Sequence, residues 1–254
     1  MKPDLVVIAA AKVGGIQANS NFKHIFIYEN LQIQNNLIHG SFLAKVKNLI
    51  FLGSSCIYPK FCKQPMKESY LLSGELEETN DAYAIAKIAG IMMCYNYSLN
   101  YRLNYKSLMP PNLFGPGDNY DLKNSHFFPA LLKKIYQAKD KRKKTLSIWG
   151  TGKPKRELMF VEDFVDALFF FMNKKIKEPF INIGVGKDLT IEWYAKYIMK
   201  KLGVKLKISY DKNRPDGMPK KCLDISLAKK YGWKPTNNLD YGFDITLRDF
   251  LKKR

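Results

Sequence analysis

Tyr83 and Lys87 stand four residues apart in Tyr83-Ala-Ile-Ala-Lys87. In a helix that spacing sets both on one face, about 5–6 Å apart at Cβ. An ammonium beside a phenol favours the phenolate, so the spacing predicts a Tyr83 pKa below the ordinary ~10. Such a phenol can exchange a proton with a carbonyl or alcohol oxygen. Ser54, in Gly53-Ser54-Ser55-Cys56, follows a short apolar run and can hydrogen-bond the same oxygen. Cys56 adds a thiol two residues further on.

The elements that must position these groups read as α/β. Leu5 to Ala10 is a short apolar run, expected to be a buried parallel strand. Asn30 to Lys45 has helical spacing, with Leu31, Ile38 and Phe42 along one side. Asn48 to Gly53 is the next strand, which puts Ser54 to Cys56 at its carboxyl end, where open α/β sheets bind ligands. Pro59 to Thr79 is polar and reads as a loop; Asn80 to Tyr101 is a long helix with Thr79 or Asn80 as N-cap. Ser107 to Pro110 is a strand, followed by a turn from Asn112 to Asp118. Beyond it come helices over Phe127 to Ala138, Val161 to Asn173 and Thr190 to Leu202, and a short one from Ser226. Strands are expected over Thr145 to Trp149, Phe180 to Val185 and Lys205 to Tyr210, with turns at Gly150 to Gly152 and Arg214 to Gly217.

Composition bounds the class. At 254 residues and 46% hydrophobic content, the chain can bury a core in one or two domains. No apolar run reaches the ~18–20 residues of a membrane span, and no secretory leader pattern opens the chain. Cys56, Cys62, Cys94 and Cys222 lack metal-ligand spacing and read as reduced thiols of a cytoplasmic protein, with no metal site. The net charge is +19, but only six of the 42 basic residues are Arg. The densest run, Lys139 to Lys144, carries no interleaved aromatics, so it reads as a solvated loop and no nucleic-acid partner is expected. A basic surface would still attract an acidic substrate.

Several stretches together make the chain resemble the GDP-L-fucose synthase family of the extended short-chain dehydrogenase/reductase group. They are Ala9-Ala-Ala-Lys-Val-Gly-Gly15, Phe51-Leu-Gly-Ser-Ser-Cys-Ile-Tyr-Pro-Lys60, Tyr83-Ala-Ile-Ala-Lys-Ile-Ala-Gly90, Asn124-Ser-His126, Trp149-Gly150, Arg156-Glu157 and Pro215-Asp-Gly217, in order over nearly the whole chain. The resemblance implies epimerisation at C3 and C5 of GDP-4-keto-6-deoxy-D-mannose, then NADPH-dependent reduction at C4. A 4-keto group acidifies the C3 and C5 protons, and each inversion needs one group to remove a proton and another to return it on the opposite face. By resemblance Cys56 and His126 are that pair, Tyr83 is the proton donor of the reduction, Lys87 tunes it and Ser54 orients the oxygen. The resemblance also places NADP against Leu52, Gly53, Ser54, Ser55, Lys87, Pro110, Asn112, Leu113 and His126. It places the GDP-sugar against Lys134, Trp149, Arg156 and Asp216. It implies a homodimer through the helix from Asn80. Three positions depart from the family pattern: Pro111 stands where Thr is usual, Lys134 where Arg is common and Phe160 where His is common.

The implied architecture is a Rossmann-like parallel sheet with a smaller C-terminal α/β substrate lobe. Residues 1–118 form a partial NADP-binding core, and 119–254 form mainly the substrate lobe, with segments returning to the core. A Rossmann core opens with a strand, a Gly-rich turn and a helix. Here Met1-Lys-Pro-Asp4 leads into what resembles the fourth strand, and Gly14-Gly15 follows the wrong strand for that turn. The sheet is therefore expected to be N-terminally truncated by about two βα units. Two function classes stay open on the sequence: the bifunctional epimerase-reductase, and a non-catalytic nucleotide-sugar-binding remnant of the same family.

Overall fold

Strand Asn48–Leu52, here β2, alternates its side chains between two apolar layers, as a strand buried on both faces must. Leu49 and Phe51 enter one core with Ile38, Ile88, Ile91 and Met109. Ile50 points the other way, into a core with Leu108, Phe164, Phe171, Ile181 and Trp233. The computed structural model describes residues 3–122 and 125–253; Asn124 of the Asn124-Ser-His126 motif lies outside them.

In chain order the remaining elements are β1 (Leu5–Ile8), α1 (Ile16–Asn21), α2 (Lys23–Leu43), α3 (Asp81–Tyr101), β3 (Asn104–Met109), β4 (Asn112–Phe114), α4 (Phe127–Asp140), β5 (Thr145–Trp149), β6 (Lys155–Phe160) and α5 (Val161–Met172). They continue with β7 (Phe180–Asn182), β8 (Asp188–Thr190), α6 (Ile191–Lys201), β9 (Lys207–Asp211), β10 (Lys220–Lys221), α7 (Ser226–Lys230) and α8 (Leu239–Lys252). The first sheet runs β1-β2-β3-β7, all parallel. A second runs β10-β6-β4, also parallel, with β8 antiparallel to β6; β5 and β9 form a parallel pair. A third core, containing Phe128, Leu132, Ile148, Tyr194, Ile198 and Phe243, joins α4, α6 and α8 to β5.

The α/β class and the order of most elements agree with the sequence reading, and the differences have physical reasons. β1 ends at Ile8 rather than Ala10 and among the described residues pairs only with β2, and Val7 is 42% exposed instead of buried. α2 starts at Lys23, and its buried side is Phe26, Asn30, Gln34, Ile38 and Ser41, with Leu31 and Phe42 only half-buried. The polar members of that face hold backbone. The Asn30 amide meets both the N–H and the C=O of Lys12, and Gln34 Nε2 donates to Ala86 O at 2.6 Å. Asn112–Phe114 pairs with Leu158–Phe160 and is strand rather than turn. The loop from Pro59 contains a 3₁₀ turn at Glu68–Tyr70 and bridges Met66 to Leu223. β6 and α8 have no counterpart in the sequence reading. Lys-Arg-Glu-Leu-Met-Phe lacks strand alternation, because Glu157 within it is fully buried by design of its hydrogen bonds rather than by hydrophobicity.

Candidate active site

The carboxyl ends of β2, β3 and β4, the N-termini of α3 and α4, and the strand pair β6–β10 surround one cavity of about 600 Å³. That is a common size for a small-molecule site. Every site residue named from the sequence lines it: Leu52 to Cys56, Tyr83, Lys87, Pro110, Asn112, Leu113, His126, Lys134, Trp149, Arg156 and Asp216.

Ser54 lies two residues beyond β2 and caps the 3₁₀ turn Ser55–Ile57, its Oγ accepting from Cys56 N at 3.2 Å. Gly53 precedes it, and a Cβ there would displace the end of the Met109 side chain. Tyr83 and Lys87 sit on α3 as their spacing predicts, but not as an ion-tuned pair. Lys87 Nζ donates to Leu52 O at 2.8 Å and lies over the rings of Phe51 and Tyr83, 4.7 and 5.7 Å from their centroids. Burial pushes the Tyr83 phenol well above its ordinary 10; the Cys56 sulfur adds to this and Ser54 opposes it. The expected depression of Tyr83 is thus corrected: desolvation outweighs an ammonium that faces the ring and not the hydroxyl. Burial also lowers Lys87, from 10.5 to about 8.

Cys56 is the most elaborately held group. Lys221 Nζ donates to its sulfur at 3.1 Å and Asn80 Nδ2 at 3.4 Å. Burial pushes the thiol up, but Lys221, Ser54 and Arg156 together bring it below its ordinary 9.0. Asn80 is the N-cap of α3 as expected, yet its side chain makes no capping bond; it turns to the sulfur instead, and its Oδ1 is buried without a partner. His126 is the N-cap residue of α4 and opens into the cavity. Burial, and then Lys221, lower its imidazole below 6.5.

At the other end, the Trp149 indole carries two cations over its ring. Lys134 Nζ is 5.2 Å and Arg214 Cζ 4.9 Å from its centroid. Arg156 donates to Met218 O at 2.6 Å and to Asp216 O at 3.1 Å. Asp216 binds Thr151 N and Thr151 Oγ1, both at 2.7 Å, so Asp216 and Arg156 brace the turns at 150–152 and 215–218. Asn112 likewise donates to Glu157 O at 3.0 Å and ties β4 to β6. Glu157 accepts from Val185 N, Gly186 N and Leu223 N at 2.5, 2.7 and 2.7 Å, while burial pushes it up to about 7.

Sequence reasoning missed Lys221 and Arg214 as site residues, and gave Asn80 only a capping role. Lys221 is one of 36 lysines, and nothing local distinguishes it; its position depends on β10 pairing with β6 in the register Lys221–Arg156.

The family model for the NAD dependent epimerase/dehydratase family matches residues 1–184. The chain belongs to that family. Within it, the chain is similar to a GDP-L-fucose synthase of Sinorhizobium fredii, 46% identical over 250 residues, covering 98% of this chain and 80% of the relative. Among solved structures of the family fold it is similar to a GDP-6-OMe-4-keto-L-xylo-heptose reductase from C. jejuni, with TM-score 0.91, 33% identity, and coverage of 100% of this chain and 84% of that one. It is also similar to a GDP-L-fucose synthetase from Naegleria fowleri bound to NADP, with TM-score 0.88, 27% identity, and coverage of 99% and 78%. No metal-binding cluster of His, Cys, Asp and Glu occurs among the described residues, and no described helix is long and apolar enough to cross a membrane.

Proposed function

We propose that the chain inverts C3 and C5 of GDP-4-keto-6-deoxy-D-mannose and then reduces C4 with NADPH, giving GDP-L-fucose. The observation that carries this is the meeting of two proton-transfer sets in one cavity: Cys56 with His126, and Ser54 with Tyr83 and Lys87. A reductase alone needs only the second set; inversion at carbon beside a ketone needs the first.

The donor set suits a nicotinamide nucleotide. Among the described residues, the buried Lys87 ammonium has one hydrogen bond, to Leu52 O, and its remaining donors face a cavity bordered by Ser54, Pro110, Asn112 and Leu113. Leu52, Gly53, Ser54, Ser55, Lys87, Pro110, Asn112, Leu113 and His126 would hold the cofactor's nicotinamide end there, and NADPH when bound supplies the hydride. Tyr83, held protonated by burial, is in the state a donor to the C4 oxygen requires. Ser54 orients that oxygen. In the inversions, Cys56 and His126 exchange protons with carbon while Ser54 holds the enolate oxygen. Lys134, Trp149 and Arg156 offer cations and an aromatic face to a nucleoside diphosphate, with Asp216 fixing the turn beneath them.

In this reading residues 1–118 form the cofactor core and 119–254 mainly the substrate lobe, with β7, α5 and α7 returning to the first sheet. Exposed Tyr28, Leu37 and Leu43 on α2 with Met92, Leu99 and Tyr101 on α3 support a homodimer through that face. Four free cysteines fit the cytoplasm.

The test is solvent exchange. With the 4-keto substrate in D₂O, the protein should wash deuterium into C3 and C5. Cys56→Ala should stop this, and Tyr83→Phe should spare it while blocking NADPH oxidation. Exchange at the wild-type rate in Cys56→Ala would rule the reading out.

A further inference from the structure

We propose that Lys221, with Asn80, is a positioning residue that clamps the Cys56 sulfur as an anion facing the cavity. The inference rests on the proposed role of Cys56 in proton transfer. It comes from a geometry that role does not require: an ammonium and an amide both directed at one sulfur, at 3.1 and 3.4 Å.

The fold commits Lys221 to this place. β10 is two residues long and lies parallel to β6, so its two side chains leave opposite faces. Lys220 turns out to Asp188 at 3.7 Å, and Lys221 turns in to Cys56. The segment is fastened beyond the strand: Cys222 N donates to Gln64 Oε1 at 3.0 Å, Leu223 N to Glu157 Oε2 at 2.7 Å, and Met66 N to Cys222 O at 2.7 Å. Asn80 departs from ordinary capping to reach the same atom, which leaves its Oδ1 buried and unpaired. A side chain that gives up a capping bond worth about 1 kcal/mol is held for another partner.

The groups facing Cys56 come from every element around it. They are Ser54 just beyond β2, Asn80, Tyr83 and Lys87 on α3, His126 at α4, Arg156 on β6 and Lys221 on β10. Of the carboxylates lining the same cavity, Glu77 pairs with Lys60 at 3.3 Å and Asp216 is held by Thr151. Arg156 is occupied by the carbonyls of residues 155, 216 and 218, so Lys221 is the cation in contact with the sulfur. In the step it serves, the C–H bond beside the ketone breaks and an S–H bond forms. The electron pair moves into the carbonyl as an enolate, His126 gives a proton to the carbon from the opposite face, and the proton on sulfur is released to solvent. Lys221 neither gains nor loses a proton; it holds the sulfur in the form that can accept one.

The experiment measures the thiolate directly. Alkylation of Cys56 by iodoacetamide is followed by peptide mass spectrometry from pH 5 to 10, in the wild type, Lys221→Met, Lys221→Arg and Asn80→Ala. The wild-type midpoint should fall below an ordinary thiol. Lys221→Met should raise it by at least one pH unit, a tenfold loss of thiolate at pH 7. Lys221→Arg should restore reactivity to within about threefold, and Asn80→Ala should give a smaller rise than Lys221→Met. An unchanged midpoint in folded Lys221→Met overturns the proposal. So does a wild-type midpoint at or above an ordinary thiol, a reading that holds even if the variant fails to fold. A shifted midpoint with no C3 or C5 exchange in the wild type would support the clamp and refute the epimerase reading instead.

Discussion

The Lys87 ammonium lies 2.8 Å from the carbonyl oxygen of Leu52, one residue before the glycine that leads into Ser54. The helix carrying the lysine is thus bonded to the end of the strand carrying the serine, and a buried charge connects them. That charge is a cost to the fold, since burial lowers Lys87 from 10.5 to about 8. A base whose pKa is depressed in the folded state contributes stability that is present above the unfolded pKa and is lost as pH falls through the folded one. The penalty is therefore complete below pH 8 and disappears towards pH 10.5.

Lys87→Met should accordingly stabilise the protein without added nucleotide by ~1–3 kcal/mol at pH 7, after allowing for the lost Leu52 bond. The advantage should shrink between pH 8 and 10.5, and turnover should be abolished. Urea melts at pH 7 and pH 10 check this; a destabilised variant at pH 7 would contradict it.

Glu157→Gln keeps one carbonyl-type acceptor for Val185 and Gly186 but sets an amide N–H₂ against Leu223 N–H. An unsatisfied buried donor costs about 1–3 kcal/mol. We expect the melting temperature to drop by about 5 °C. Because Leu223 follows β10 closely, the Cys56 alkylation midpoint should rise as well. A variant with native stability would show that Glu157 does not organise this segment.

Trp149→Ala removes the ring that Lys134 and Arg214 both contact. GDP affinity by calorimetry should fall about tenfold, in line with the loss of a partly desolvated cation–π and stacking surface. Lys134→Ala and Arg214→Ala should each reduce the salt dependence of binding. Equal affinity for GDP and UDP in the wild type would argue against a guanine-selective pocket.

Gly150 has φ +67°, and a Cβ there would strike the Asp216 carboxylate that holds Thr151. Gly150→Ala should cost ~1–2 kcal/mol for the left-handed backbone alone, and should weaken GDP binding more than Gly203→Ala. Gly203 has φ +63° and open space around its Cβ direction, which makes it the control for backbone strain without collision.

The residues proposed to move protons were legible in the chain because their chemistry is local. Tyr83 and Lys87 share a helical face by spacing alone, Ser54 and Cys56 follow a strand by its apolar run, and both placements hold. The periodic elements were legible for the same reason: β2, α3, α4 and α6 each bury a face whose period is written in consecutive residues. β6 and α2 were less so, because their buried faces include Glu157 in one and Asn30 and Gln34 in the other, polar side chains placed for backbone partners far along the chain. The sign of the Tyr83 shift was decided by tertiary structure, since spacing sets how near Lys87 is but not where its ammonium points or how dry the phenol becomes. Lys221 belongs to the same class. It lies 165 residues from Cys56, and only the pairing of β10 with β6 brings its charge to the sulfur. Local spacing can write which groups share a face; the electrostatic environment of each group is summed over segments that are neighbours only after folding.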